Sequence, residues 1–212
     1  MSQSVSPPGY RAAYTLRLTG SSGLILALNL GALVLLIPAI ALFVWPAIVR
    51  GFLADDLVFT LTLSLTDGLM LLTGTLGVVL AHEGVHGLVM RAFGAHPRFG
   101  IKWELMAAYA VATGHFFSRN QFLVVALAPL AILTPVLWLG TWWAPPGALW
   151  MALALAGILN SVGAVGDLFM ARQAARHPTT ALVLDEEDGM TVFVLAPGDI
   201  LRDSGLPQAD GR

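Results

Sequence analysis

The 212-residue chain contains no cysteine, which excludes disulfides and thiolate metal sites and leaves the redox compartment unreadable. Any metal must therefore bind through imidazole and carboxylate. Charge is also scarce. Charged residues make up 11% and hydrophobic residues 57%, against about 25% and about 45–50% in ordinary soluble domains. Such a chain cannot cover a globule with polar surface, so it belongs in a bilayer. A net charge of −2 offers no basic face for nucleic acid. The length fits one domain, or one small membrane bundle with a tail. Neither an internal repeat nor a low-complexity tract is present.

What the chain does contain is a set of long apolar runs. Ser22 to Val49 carries no charge. A span needs about 20 such residues and a signal-peptide core about 7–15, so this run reads as a membrane helix rather than a cleaved leader. Pro38 and Pro46 lie inside it, which a bilayer helix tolerates where neighbours satisfy the freed carbonyls. Further spans are expected at Gly68–Phe93, at Asn120–Trp143 with Pro129 and Pro135 inside, and at Ala148–Met170. The last two are joined by an Ala144-Pro145-Pro146-Gly147 turn. Arg50–Asp67 reads as a short non-cytosolic excursion whose Asp55, Asp56 and Asp67 are interfacial charges. Gly94–Arg119 is a loop, and Phe99–Val111 within it is compatible with a β-hairpin.

The tail changes character. Ala181–Leu184 and Thr191–Leu195 are short apolar runs around Asp185-Glu186-Glu187-Asp188-Gly189. They read as a hairpin turning at Asp188-Gly189, its acidic run a solvated turn able at most to bind a cation weakly. The expected architecture is an all-α membrane protein: four transmembrane helices, a small cytosolic loop hairpin and a short β-hairpin tail. Residues 1–20 form a cytosolic N-terminal segment, 21–176 the membrane domain and 177–212 a cytosolic tail. With both ends cytosolic, Arg11, Arg17, Arg91, Arg98, Lys102, Arg119, Arg172, Arg176, Arg202 and Arg212 fall inside, and of the eleven basic residues Arg50 alone falls outside. That distribution obeys the positive-inside rule.

His82-Glu83-Gly84-Val85-His86 is an HExxH pattern within the second run. Residues four apart share one helical face, so both imidazoles can reach one metal ion. Glu83 is one step round and could polarise a metal-bound water. The plainer alternative is a helix with two satisfied histidines and a surface glutamate. It fits poorly, because a central charge in a span costs about 2.5–3.5 kcal/mol on insertion scales.

A site of this kind needs a third protein ligand, and Asp167 stands out among the few ionisable residues in the spans. His86 lies five residues before Arg91 and Asp167 five before Arg172, so the two sit at similar depth if both helices run toward the cytosol. The alternative for Asp167 is a juxtamembrane carboxylate paired with Arg172 or Arg91. Asn160, two turns before Asp167 on the same face, could bond a substrate carbonyl or oxyanion, or serve as interhelical glue. Gly84, Gly87, Gly157, Ser161, Gly163, Ala164 and Gly166 would let the two helices approach closely. His96, His115 and His177 lie outside the spans and read as solvated or structural.

HEGVHG in one span, followed two helices later by Asn160 and Gly166-Asp167, resembles the site-2 protease class of intramembrane zinc metalloproteases. It is closer still to the bacterial and archaeal zincin-peptidase family, a domain of unknown function. The likeness covers roughly Gly68 to Arg172. It implies a three-helix catalytic core, zinc held by His82, His86 and Asp167, and Glu83 as general base. It also implies that Phe99–Val111 lies at the membrane surface and presents an edge to an unwound substrate. The setting of Asp167, between Gly166 and Leu168 without proline, departs from the site-2 protease pattern, and no PDZ domain is present.

The expected function is a multi-pass zinc metallopeptidase of a prokaryotic cell membrane. It would contact lipid and cleave a membrane-protein or peptide substrate; the oligomeric state is unreadable. The competing readings are a non-catalytic metal-binding scaffold, and a metal transporter or sensor. The last wants ligands spread between both faces rather than clustered at one depth.

Overall fold

The structure is a computed structural model that describes residues 6–53, 64–103 and 107–196. Asp55, Asp56, Arg202 and Arg212 lie outside the described residues. Four helical stretches are long and apolar enough to cross a membrane. They are α1 (Ser22–Leu53), α2 (Leu65–Ala92), α3 (Arg119–Trp143), and α4 (Ala148–Gly163) continued by α5 (Val165–Ala175) after a break at Ala164. Their outer faces are apolar, with Leu33, Ile37, Leu80 and Val136 well exposed. Exposure on that scale suits contact with hydrocarbon and not with water.

Two helix starts have a local cause. Ser64 caps α2 through a reciprocal capping box with Asp67, and Ser118 caps α3 in the same way with Gln121. The prolines leave carbonyls without their intrahelical donor. Pro46 frees the Leu42 carbonyl, which accepts the Trp138 indole N–H at 3.1 Å. This is the compensation by neighbours that an apolar helix requires. Arg50, at the far end of α1, donates to the Trp142 and Ala144 carbonyls at 3.2 and 2.6 Å, closing the C-terminus of α3.

The protein is mostly helical, as expected, but the tail hairpin is part of a larger four-stranded antiparallel sheet, flanked on one side by the N-terminal strand and on the other by a short strand before α3. Its strands are β1 (Tyr10–Arg17), β4 (Phe116–Ser118), β5 (Leu182–Glu186) and β6 (Gly189–Leu195). A separate hairpin joins β2 (Arg98–Lys102) to β3 (Ala107–Val111), where the loop hairpin was expected. The tail hairpin is present too, but its two-residue turn is Glu187-Asp188, because Gly189 already pairs with Glu186. Gly189 has φ 140°, and a Cβ there would meet the Leu16 carbonyl oxygen at 2.2 Å. The β1 backbone therefore passes too close for any side chain.

The sheet draws the N-terminal strand, the α2–α3 connection and the tail to one end of the bundle. Arg11, Arg17, Arg91, Arg98, Lys102, Arg119, Arg172 and Arg176 lie on or beside these segments, and Arg50 lies at the opposite end. Beneath the sheet Phe117, Val183, Met190 and Val192 pack with Phe122, Val125, Ala171 and Ala174 in one core. A second core, around Phe43, Trp150 and Ala154, joins α1, α3 and α4. Phe43 is fully buried, and a Cβ on Gly157 would come within 2.0 Å of its ring. Gly157→Val should therefore prise α1 from α4 and destabilise the protein by about 1–3 kcal/mol, read as a lowered thermal unfolding midpoint in detergent.

Candidate metal centre

His82, Glu83 and His86 occupy the C-terminal half of α2, with the imidazoles one turn apart. Asp167 reaches them from α5. The fourth helical stretch breaks at the fully buried Ala164, and Asp167 falls in the first turn of the restarted helix, where free backbone N–H groups favour a carboxylate. The break thus aims Asp167 at α2. Its Oδ2 lies 3.1 Å from His82 Nε2 and 3.5 Å from His86 Nε2. The two rings are edge to face at 5.0 Å.

The outer nitrogens of both rings are already engaged. His86 Nδ1 donates to the Val125 carbonyl at 2.9 Å. That carbonyl is available because residue 129, four positions on, is proline and has no N–H to offer it. His82 Nδ1 lies 3.0 Å from Asn160 Oδ1. The Asn160 amide nitrogen faces Thr134 Oγ1 at 3.0 Å and the Pro129 carbonyl at 3.4 Å, so its oxygen is the acceptor and His82 Nδ1 carries the proton. In the neutral rings both Nε2 atoms then turn lone pairs toward a carboxylate oxygen. Lone pairs facing each other repel unless a cation lies among them. Protonating both rings instead would place two cations side by side in an apolar helix, which is costly.

Donor spacing fits a metal ion. In a tetrahedral zinc site with bonds of 2.0–2.2 Å, donors stand about 3.3–3.5 Å apart. The three candidate ligand atoms all lie within 4.8 Å of one another. The donor set is two imidazoles and one carboxylate, which leaves a fourth position open for water or substrate. Imidazoles that pass their second N–H to an oxygen acceptor are the usual support for such a site. Among the described residues Asp167 makes no ion pair with an arginine, so pairing with Arg172 or Arg91 is not what the carboxylate does.

Glu83 is set apart from the three donors and faces the hairpin, where the Ala110 backbone N–H approaches it. Asn160 stands behind His82 with its amide hydrogens directed at α3. His96 is exposed, His115 packs on the Phe117 ring at 4.5 Å, and His177 lies near Tyr14. None of the three joins the cluster.

Two features escaped the sequence reading. The Val125 carbonyl was legible in principle, as the acceptor four residues before Pro129. From sequence the acidic run reads as a solvated turn, yet Asp185 is 8% exposed. Burial pushes its carboxyl up to about 7, and the Asp167 charge adds to the rise. Period-two alternation puts Asp185 on the face of Val183, which was the available signal.

Residues 75–182 match the family described as "Putative zincin peptidase", and the chain belongs to that family. The matched stretch holds His82, Glu83, His86, Asn160 and Asp167 and ends before Asp185. Family membership implies zinc as the metal. The chain is also 28% identical over 111 residues to the "Uncharacterized 24.7 kDa protein in gap 5'region" of Pyrococcus woesei, covering 51% of this chain and 48% of that protein. It thus spans about half the length of the curated relative it matches. No solved structure matches it significantly.

Purified protein should carry one zinc per chain, and elemental analysis should find it lost in His86→Ala and Asp167→Ala. Asn160→Ala should weaken zinc binding about 10–100-fold through misorientation of His82, measured by chelator competition.

Proposed function

We propose that the protein is a membrane-embedded zinc metallopeptidase that hydrolyses peptide bonds within or beside the bilayer. The observation that carries this reading is the convergence of two imidazole Nε2 atoms on one carboxylate oxygen, at 3.1 and 3.5 Å, with both Nδ1 atoms already bonded. Family membership supports the peptidase class. His82, His86 and Asp167 hold the metal, and Glu83 handles the proton. When bound, zinc supplies a Lewis acid that polarises a scissile carbonyl and makes water a stronger acid.

The chain's own residues do the rest. Glu83, one residue from His82 but outside the donor set, takes the proton from the attacking water and returns it to the departing amine. Asn160 and the Val125 carbonyl fix both rings in the tautomer that leaves Nε2 free. Asn160 therefore serves as a positioning residue in this reading. The β2–β3 hairpin covers the Glu83 face. An extended substrate is required, because a helix keeps its carbonyls bonded.

The basic residues gathered at the sheet end support a cytosolic location for both termini and for the hairpin. In this arrangement lipid surrounds the apolar faces, and the substrate is a membrane protein or peptide reached near the cytosolic edge.

Glu83→Gln separates this reading from a scaffold that merely keeps the metal. The variant should retain its zinc and lose casein cleavage about 100-fold or more, as measured with labelled casein in detergent micelles. Unchanged cleavage, or none in the parent protein, would leave only the scaffold.

A further inference from the structure

Two acidic side chains of the tail reach the two strands of the β2–β3 hairpin. Asp185, on β5 opposite Met190, is buried and faces the backbone N–H of Ala112, one residue past β3. Asp188, in the β5–β6 turn, accepts from Lys102 Nζ at 2.8 Å, and Lys102 is the last residue of β2. It also accepts from the Thr19 backbone N–H at 2.9 Å and from the Thr19 hydroxyl. The tail therefore holds one end of each strand.

The hairpin in turn meets α2 beside the metal ligands. The Phe99 ring lies over Gly87, where a Cβ would come within 2.4 Å of it. The Ala110 N–H approaches Glu83. The backbone N–H groups that approach Glu83 and Asp185 thus belong to Ala110 and Ala112, two residues apart in the chain. Among the described residues β2 and β3 pair only with each other, and an isolated two-stranded hairpin is marginally stable. Something else must hold this one in place.

We propose that the C-terminal hairpin is a clamp on the β2–β3 hairpin, in which Asp185 and Asp188 are positioning residues that set Glu83 against the two imidazoles. The clamp rests on the reading of Glu83 as the proton carrier. Both acidic residues lie outside the family-matched stretch. The buried carboxyl fits the role, because an unpartnered one would be costly in that place.

The test is amide hydrogen exchange on the full-length, zinc-containing protein in micelles. Asp185→Leu should speed exchange at Ala110 and Ala112 about tenfold while the amides of β5 and β6 keep their protection. Asp185→Asn, which keeps an acceptor oxygen, should restore both. Lys102→Glu should loosen the hairpin in the same way, and adding Asp188→Lys should rescue it. In casein cleavage Asp185→Leu should lower kcat about tenfold with KM and zinc content unchanged.

Unchanged exchange at Ala110 and Ala112 would overturn the clamp. So would equal effects of Leu and Asn, or loosening spread over the whole tail sheet. If Asp185→Leu does not fold, the Lys102–Asp188 pair decides. If Glu83→Gln leaves cleavage intact, the peptidase reading fails while the exchange data still judge the clamp.

Discussion

The amide that Pro129 lacks leaves the Val125 carbonyl open on the face of α3 that meets α2. His86 takes that carbonyl with Nδ1, and the ring has then only Nε2 to turn toward Asp167. The same helix supports the second imidazole at one remove. Asn160 braces against Thr134 and the Pro129 carbonyl, and its own oxygen meets His82. So α3 contributes no ligand atom yet orients both histidines. In an apolar helix an unmet polar group has no water to turn to, and every partner in this chain of contacts is supplied by the protein.

The same constraint shapes the bundle at large. Pro46 opens the Leu42 carbonyl and Trp138 closes it, while Arg50 seals the end of α3. These contacts tie helices together without a large buried interior. Much of the apolar surface faces outward, and the enclosed cores are small and local. Phe43 seated against Gly157 shows how close helix approach substitutes for bulk hydrophobic packing, as it commonly does between membrane helices.

At the sheet end the logic changes to that of a soluble fold. Phe117, Val183, Met190 and Val192 make a water-excluding layer directly over the end of α2 that carries the histidines. Two environments therefore meet at the centre, the outward-facing apolar surface of the helices on one side and a β-sheet core on the other. Glu83 faces this junction through Ala110, and the tail reaches it through Asp185 and Asp188.

Composition alone was enough to mark the four apolar stretches, because runs of about 20 predominantly apolar residues admit few other readings. Helical periodicity alone places His82 and His86 one turn apart on a shared face. The depth match to Asp167 followed from simple rise per residue. Local rules did not reach the sheet. Tyr10–Arg17 becomes a strand only by pairing with Gly189–Leu195 at the other end of the chain, and no window of neighbouring residues contains that information. Nor could they tell that Asn160 turns its oxygen to His82, or that Asp185 is buried while Glu187 of the same acidic run is exposed. Those outcomes depend on which helix and which strand lie alongside, and only the tertiary structure sets that.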